Sequence, residues 1–171
     1  MSQPFSTLSL RPNLLESLDS LGYETMTPIQ QQSLPFLLEG KDVIAQAKTG
    51  SGKTAAFGLT LLTNLNVKRF RVQTLVLCPT RELAQQVATE IRNLARFTPN
   101  VKVLALCGGM PTGPQIGSLE HGAHIIVGTP GRVLHHLNKG TLSLRELNTF
   151  VLDEADRMLD MGFEDELDAI M

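Results

Sequence analysis

Short runs of apolar residues, many of them β-branched, recur along the chain and alternate with longer stretches of helical periodicity. These runs predict β-strands at residues 42–45, 74–78, 101–106, 124–127 and 149–152. Several are apolar throughout, which is typical of parallel strands that are covered on both faces. The pattern therefore predicts an α/β fold in which an open, doubly wound and mostly parallel sheet carries helices on both faces.

Signals for helix boundaries fit between these strands. Thr27 and Thr129 each stand before a proline, the arrangement of an N-cap residue followed by the first helical residue. Gly40 and Gly140 mark the expected ends of these two helices. A longer helix is predicted over residues 81–97, where the spacing of the apolar residues indicates a face that contacts the core.

Composition narrows the class of protein. The chain has 171 residues, 42% hydrophobic and 19% charged, which fits one domain with its own core. No apolar run approaches the roughly 18 residues of a membrane span, and the N-terminus does not resemble a signal peptide, so we expect a cytoplasmic protein with no membrane partner. Residues 1–152 contain 14 Lys and Arg against 9 Asp and Glu, whereas residues 153–171 contain 8 acids and one Arg. The basic surplus of the longer part permits a polyanionic ligand without identifying one.

A glycine-rich segment follows the first predicted strand, at the carboxyl end where open α/β sheets bind their ligands. Gly50 and Gly52 let backbone N–H groups converge on phosphate at a helix N-terminus, Lys53 can reach the β and γ phosphates, and the Thr54 hydroxyl can bind Mg²⁺. Ala47 stands where the general phosphate-loop pattern has glycine, and a glycine-rich turn without a ligand is the structural alternative. The candidate nucleotide-binding residues of this loop are Ala47, Lys48, Thr49, Gly50, Ser51, Gly52, Lys53 and Thr54.

Two acids follow the last predicted strand. Asp153 can hold Mg²⁺, directly or through water, and Glu154 can polarise a water for attack on a γ phosphate. Either acid alone would be an ordinary partner of a helix N-terminus. Together with the phosphate loop they predict a nucleoside triphosphate and Mg²⁺, with Lys53, Asp153 and Glu154 as the catalytic residues.

Other metals and disulfides are not expected. The two cysteines, Cys78 and Cys107, each end an apolar run, which favours buried thiols over a disulfide or a metal pair. The histidines lack acidic or cysteine partners at the spacing of metal ligands. They are His121, His124, His135 and His136.

The acid pair begins a family signature, because residues 153–156 read Asp-Glu-Ala-Asp, the letters for which DEAD-box RNA helicases are named. The loop at 47–54 is similar to the phosphate loop of that family, which tolerates Ala at its first position. Segments after the second, third and fourth strands resemble the RNA-contacting motifs of the family in order and spacing. The corresponding residues are Pro79, Thr80, Arg81, Gly108, Gly109, Thr129, Pro130, Gly131 and Arg132.

These segments have suitable chemistry for a nucleic-acid backbone. Helix N-termini, glycines that permit close approach and arginine forks suit phosphates and riboses rather than base edges, so the resemblance implies sequence-independent RNA binding. Each segment alone has an ordinary structural explanation as a helix start, a turn or a solvated arginine. Three of them after successive strands favour the RNA interpretation.

Residues 22–30 resemble the Q motif of the same family. The resemblance implies that Gln30 contacts the edge of adenine, that Phe5 is the isolated upstream aromatic residue, and that Tyr23 also contacts the nucleotide. A glutamine amide offers a donor and an acceptor together, which matches N6 and N7 of adenine and not the two acceptors of guanine. ATP is therefore the expected nucleotide. Without the resemblance, Gln30 would be taken as solvent-exposed and Phe5 as a cover of the core.

The resemblance implies the ATP-binding, N-terminal RecA-like lobe of an RNA helicase, an RNA-stimulated ATPase that couples ATP binding and hydrolysis to remodelling of RNA duplexes. We expect an N-terminal extension and Q motif over residues 1–31 and an incomplete RecA-like lobe over 32–171. A second lobe carrying the arginine fingers would act in cis and is absent from this chain, so the fragment alone should hydrolyse ATP barely if at all.

Within the family, the most similar subgroup is that of the bacterial DbpA-type helicases, which act on ribosomal RNA during large-subunit assembly. Residues 46–58, 74–86 and 153–163 carry this resemblance, which makes ribosomal RNA or a pre-ribosome a candidate partner. Two alternatives remain open. One is a P-loop nucleotide switch that acts on a protein partner without remodelling RNA, and the other is an RNA-binding fragment without enzymatic activity.

Overall fold

The computed structural model describes residues 1–171. A short 3-10 helix at Phe5–Thr7 is followed by eight α-helices and four β-strands. In chain order they are α1 (Pro12–Ser20), α2 (Pro28–Leu38), α3 (Lys53–Thr63), β1 (Thr74–Leu77), α4 (Arg81–Leu94), β2 (Val103–Leu106), α5 (Thr112–His121), β3 (Ile125–Gly128), α6 (Pro130–Lys139), β4 (Thr149–Leu152), α7 (Ala155–Asp160) and α8 (Glu164–Ile170).

The four strands form one parallel sheet in the order β2-β3-β1-β4. Leu77 at the end of β1 is paired with Gly128 of β3 and with Leu152 of β4, and Leu106 of β2 is paired with Gly128. The carboxyl ends of all four strands therefore lie at one edge of the sheet. The expected α/β fold with a parallel sheet is confirmed, with four strands in place of five.

The strand expected at residues 42–45 is absent. This segment is irregular and pairs with no other strand, and Ile44 is completely exposed. Its β-branched composition favours an extended backbone, but a strand also needs a neighbour to accept and donate its backbone hydrogen bonds, and the described chain provides none. The expectation of a first strand before the phosphate loop is therefore wrong for this structure.

The two helices start at the expected residues, although the Thr129 hydroxyl makes no capping bond in α6. Thr27 is the N-cap of α2 and Thr129 that of α6, each with proline at the first helical position. The helix α6 ends at Lys139 and is capped by Gly140, which has a left-handed backbone and whose N–H bonds to carbonyls of the last turn. The helix expected over 81–97 ends earlier, at Leu94.

The chain divides into two compact units, and α4 contributes to both. The first unit comprises residues 1–65 and 90–100, and its buried side chains include Leu14, Leu34 and Leu59. The second unit comprises residues 66–89 and 101–171. It contains the sheet, on which a cluster of buried side chains packs: Leu75, Leu77, Leu106, Ala123, Ile126, Val133, Leu142, Met158 and Leu167.

Both cysteines are buried and unpaired, as the sequence predicts. Burial, with a smaller contribution from Asp153, raises the pKa of the Cys78 thiol, so it stays protonated. Burial also raises the pKa of Cys107. None of the helices has both the length and the apolar character that crossing a bilayer requires.

Candidate nucleotide and RNA sites

The phosphate loop in the first unit has the backbone that its glycines permit. Gly50 and Gly52 both have positive φ angles, of 80° and 90°, which favour glycine. Gly52 is the N-cap of α3, so the loop leads directly into a helix N-terminus. Lys53 Nζ donates a hydrogen bond to the carbonyl oxygen of Ala47 at 2.8 Å, across the mouth of the loop. Lys48 and Thr49 are exposed.

Two residues of the expected Q motif hold this loop. Thr27 Oγ1 donates to the carbonyl oxygen of Ser51 at 2.7 Å, and Gln30 Nε2 donates to that of Gly52 at 3.0 Å. Gln30 Oε1 accepts from the backbone N–H of Thr27 at 2.9 Å, which completes a capping box at the start of α2. Gln30 is therefore buried against the loop and not solvent-exposed.

The two aromatic residues that are expected to contact the nucleotide, Phe5 and Tyr23, line one cavity in the first unit. Phe5 is buried, and it lines with Tyr23 a cavity of about 330 Å³ that also includes Leu15, Leu18 and Asp19. Two backbone interactions hold the N-terminal segment beside this cavity. The Met26 N–H donates to the Gln3 carbonyl, and Pro4 forms a β-bridge with Thr25. Burial and the negative charge of Glu90 raise the pKa of Tyr23. The cavity lining does not include Gln30.

The donor chemistry of the loop fits a polyphosphate. Ser51 Oγ is buried without a hydrogen-bond partner, and an anion beside it would satisfy this hydroxyl. Lys53 and Thr54 occupy the first turn of α3, where the helix dipole favours negative charge. The loop thus combines a cation, hydroxyls and N-terminal N–H groups, which is the donor set that phosphate requires.

The acid pair lies at the carboxyl end of β4 in the second unit. The Asp153 N–H continues the sheet by donating to the Leu77 carbonyl at 2.9 Å. Glu154 follows in a left-handed conformation, with φ 55° and ψ 52°, which is costly for a residue with a side chain and is concentrated at functional sites. Its carboxylate accepts a hydrogen bond from Arg157 at 3.2 Å.

The three segments that resemble RNA-contacting motifs follow β1, β2 and β3 at the same edge of the sheet as the acid pair. Thr80 caps α4 by accepting the backbone N–H of Leu83 at 3.2 Å. The Arg81 guanidinium lies beside Gly109, where a side chain would crowd it. Gly108 and Gly131 have open space where a side chain would stand, so a ligand can approach their backbone.

A buried polar network, which the sequence analysis missed, positions Arg132. Arg132 donates to the Met110 carbonyl at 2.7 Å and to Gln115 Oε1 at 3.1 Å. Gln115 is buried on α5, and its Nε2 donates to the Cys107 carbonyl at 3.2 Å. One glutamine therefore joins the glycine-containing loop after β2 to the arginine after β3. A lone Gln inside a helix gives no signal for this role in the sequence.

His136, which is buried on α6, also belongs to this network through its contact with Gln115. Its Nε2 lies 2.8 Å from Gln115 Oε1, which can only accept, so Nε2 carries the proton. Its Nδ1 lies 2.8 Å from the Thr141 hydroxyl oxygen, whose one proton has both Nδ1 and the His136 carbonyl, at 3.1 Å, as acceptors. Burial, followed by the positive charges of His135, Arg132 and Lys139, lowers the pKa of His136 and favours its neutral form.

Comparison with known proteins identifies the class that this fold and these motifs define. The family model for the DEAD/DEAH box helicase matches residues 27–171. The chain belongs to this family, and the resemblance found in the sequence is confirmed.

Among its relatives, the ATP-dependent RNA helicase DbpA of Escherichia coli K12 is 64% identical over 168 residues, covering 98% of this chain and 37% of the relative. The DEAD-box ATP-dependent RNA helicase CshA of Bacillus cereus is 48% identical, covering 98% of this chain and 32% of the relative. The chain thus spans about a third of the length of these curated relatives. The high identity to DbpA agrees with the predicted subgroup.

Solved structures share the fold. A DEAD box protein from the hyperthermophile Methanococcus jannaschii superposes with a TM-score of 0.93 at 42% identity, covering 99% of this chain and 47% of that one. A Leu-to-Val variant of S. cerevisiae Dbp5 bound to RNA and ADP BeF3 gives a TM-score of 0.89 at 35% identity, covering 98% of this chain and 42% of that one. These matches confirm the RecA-like α/β fold class.

Proposed function

We propose that this chain is the ATP-binding lobe of an RNA helicase, which couples ATP binding and hydrolysis to the remodelling of RNA duplexes. One observation carries the proposal. The parallel sheet has the acid pair at the end of β4 and the three RNA-type segments at the ends of β1, β2 and β3, all at one edge. Residues suited to phosphate hydrolysis and residues suited to RNA therefore share one rigid support.

The loop residues would bind the nucleotide. Lys53 exchanges its bond with the Ala47 carbonyl for one with a phosphate oxygen, while the Ser51 hydroxyl gains the partner that it lacks. Thr54 and Asp153 are the residues that would hold Mg²⁺, and Mg²⁺ in such a site neutralises charge on the β and γ phosphates. Glu154 orients the attacking water, for which its carboxylate must be shared with or released from Arg157.

Gln30 has the remaining capacity to select adenine. Its amide oxygen and nitrogen each make one bond within the protein, and each retains a second acceptor or donor position. Those positions would match the donor at N6 and the acceptor at N7. Phe5 and Tyr23 would border the base, and the same glutamine would connect recognition of the base to the phosphate loop.

The partners of the whole protein form part of the proposal. Because the chain spans only 37% of the DbpA relative, we expect a second RecA-like lobe in cis to supply the arginines that complete hydrolysis. Pre-ribosomal RNA is the proposed substrate and the cytoplasm the proposed location. The chain without the second lobe should bind nucleotide and hydrolyse it barely if at all.

A Mg²⁺-dependent titration with fluorescent ADP and GDP tests the nucleotide site. The chain should bind ADP in preference to GDP, Lys53→Ala should abolish binding, and Gln30→Ala should remove the preference. Circular dichroism of each variant is the control for folding. Equal binding of ADP and GDP by the folded wild-type chain would contradict the adenine assignment.

The helicase activity needs a version of the protein that includes the second lobe. There Glu154→Gln should retain ATP-dependent RNA binding and lose hydrolysis, because the neutral amide keeps the shape but cannot polarise water. ATP turnover that is independent of RNA in the wild-type protein would favour a nucleotide switch over a helicase.

A further inference from the structure

We infer that the RNA-binding surface extends past the motif residues along one face of α6, with Lys139 as an additional phosphate contact. This inference rests on the proposed function, since it adds a subsite to the RNA surface at the end of β3. Lys139 lies two helical turns beyond the arginine of the motif and belongs to no segment that resembles a family motif.

A cavity of about 570 Å³ lies at this place in the second unit. It begins at the backbone of the loops after β2 and β3 and continues along α6. Its lining consists of Gly108, Thr112, Thr129, Gly131, Arg132, His135, Lys139 and Phe163. The lining contains no acidic residue and includes two permanent cations, which favours an anion there, and the acids that begin α8 directly after Phe163 lie outside the lining.

Three side chains with nitrogen donors form a stripe along one face of α6. Arg132, His135 and Lys139 are spaced by three and then four residues, which places them on one face of the helix. The seven residues from Arg132 to Lys139 advance about 10 Å along the axis. The stripe starts at the N-terminus of α6, whose dipole also favours negative charge.

The two ends of the stripe differ in how they are held. Arg132 is fixed by its bonds to the Met110 carbonyl and to Gln115, so it presents the rest of its guanidinium in a set direction. Lys139 and His135 are exposed, and Lys139 forms no ion pair. The charge of Lys139 is therefore available to a polyanion.

The lining also contains an aromatic residue. Phe163 is half-buried at the start of α8, a helix that packs against α6. An aromatic ring beside a row of cations is the combination by which proteins bind single strands, because bases stack on the ring while phosphates meet the charges. The geometry therefore favours single-stranded RNA over an isolated phosphate ion.

Lys139 has a simpler alternative role, since a cation in the last turn of a helix stabilises its C-terminus. The two roles predict different measurements. A helix-stabilising lysine affects the free energy of unfolding, whereas a phosphate contact affects the salt dependence of RNA binding. Removing one contact to single-stranded RNA should reduce the slope of log affinity against log salt concentration by about 0.7.

The test measures this slope for a short single-stranded RNA with the wild-type chain, Lys139→Gln, Lys139→Arg and Lys102→Gln. Lys102 is the matched control, because it is exposed and lies before β2, at the opposite end of the strand from Gly108. We expect Lys139→Gln to reduce the slope by about 0.7, and Lys139→Arg and Lys102→Gln to leave it unchanged.

The outcomes separate this inference from the proposed function. If the wild-type chain binds RNA and Lys139→Gln has the same slope as Lys102→Gln, the extension along α6 is wrong while the RNA surface at the motifs stands. If the folded wild-type chain does not bind RNA at low salt, the RNA-binding part of the proposed function fails and the extension fails with it. A loss of slope that Lys139→Arg restores supports the additional phosphate contact.

Discussion

The phosphate loop and the loop after β3 are both expected to meet phosphates, but different interactions hold them. The phosphate loop follows a segment that is not part of the sheet, and side chains fix its carbonyl groups: Thr27 bonds to Ser51, Gln30 to Gly52 and Lys53 to Ala47. Lys53 would exchange its partner for a phosphate oxygen, whereas Gln30 would use its remaining donor and acceptor positions.

The loop after β3 is instead an extension of the sheet. The Thr129 N–H donates to the Leu106 carbonyl at 3.1 Å, and the Cys78 N–H donates to the Gly128 carbonyl at 2.9 Å. Buried Gln115 then fixes the arginine that follows. Backbone bonds of this kind need not change when a ligand binds. We therefore expect the RNA-type surface to be preformed and the phosphate loop to exchange a side-chain contact on binding nucleotide.

The largest effect on nucleotide binding is expected from Gly52→Ala, in the loop that side chains hold. A Cβ at this position would overlap Gln30 Nε2, and the φ angle of 90° adds strain of about 1–2 kcal/mol. Either the Gln30 amide would have to give up its bond to the Gly52 carbonyl or the loop would have to move away from α2, and ADP affinity should fall by about 100-fold, or 2.7 kcal/mol. Fluorescent ADP titration measures this loss.

The double variant Gly52→Ala with Gln30→Gly separates the two causes. It removes the overlap and keeps the backbone strain, and Gln30→Gly alone is its reference, because that variant already lacks the bond from Gln30 to the Gly52 carbonyl and the proposed adenine contact. Gly52→Ala should cost less ADP affinity in the Gln30→Gly background than in the wild type. If the two costs are equal, backbone strain alone explains the effect and overlap with Gln30 does not contribute to it.

A second test disrupts the RNA-type surface by removing the buried glutamine that holds Arg132. Gln115→Ala leaves the Cys107 carbonyl and His136 Nε2 without their partners in a buried site, so the free energy of unfolding should fall by about 2–4 kcal/mol. RNA affinity should fall as well, because Arg132 loses one of its two fixed bonds. Urea denaturation and RNA titration measure the two effects.

Gln85→Ala is the matched control for Gln115→Ala. Gln85 is an exposed helical glutamine whose side-chain amide makes one long hydrogen bond, to the Met110 sulfur at 3.9 Å. Its replacement should change the free energy of unfolding by less than about 0.5 kcal/mol. Equal effects of the two variants would mean that the buried network does not stabilise the fold.

The third test uses pH, and its effect should be smaller. Because the folded protein lowers the pKa of His136 below the ordinary value of 6.5, the unfolded chain binds a proton more readily in acid. The stability that neutral His136 contributes should be complete above about pH 7 and decline as pH falls below about 6.5 and through the lowered pKa. His136→Gln should remove this part of the pH dependence, and denaturation at about pH 7.5 and about pH 5.5 measures it.

His121→Gln is the control for that measurement. His121 is exposed and bonds only to a backbone carbonyl of its own helix. Its replacement should leave the difference in stability between the two pH values as it is in the wild type. If His136→Gln also leaves that difference unchanged, burial of neutral His136 does not contribute to acid sensitivity.

The sequence predicts the parts of the fold that depend on local chemistry. The strand at 149–152 forms with the expected bounds, and Thr27 and Thr129 precede their helices, because apolar runs and a proline at the first helical position act over a few residues. The phosphate-loop glycines also adopt the backbone expected of them.

Features that depend on distant partners are not predictable in this way. Gln115 and His136 gain their roles from segments up to about twenty residues away, and nothing in their own neighbourhood in the sequence indicates it. The strand predicted at 42–45 is absent for a related reason, because here the distant partner that a strand needs is missing. Its composition favours a strand, but a strand forms only where a neighbouring strand pairs with it.

The smallest effect tests that segment directly. Because Ile44 is fully exposed, Ile44→Thr should change the free energy of unfolding of this chain by less than about 0.5 kcal/mol. The same substitution at fully buried Ile126 in β3 should cost about 2–4 kcal/mol, because it removes apolar volume and buries a hydroxyl. Urea denaturation of both variants measures the contrast. A cost at Ile44 comparable to that at Ile126 would mean that residues 42–45 form a buried strand in solution, as their composition predicts.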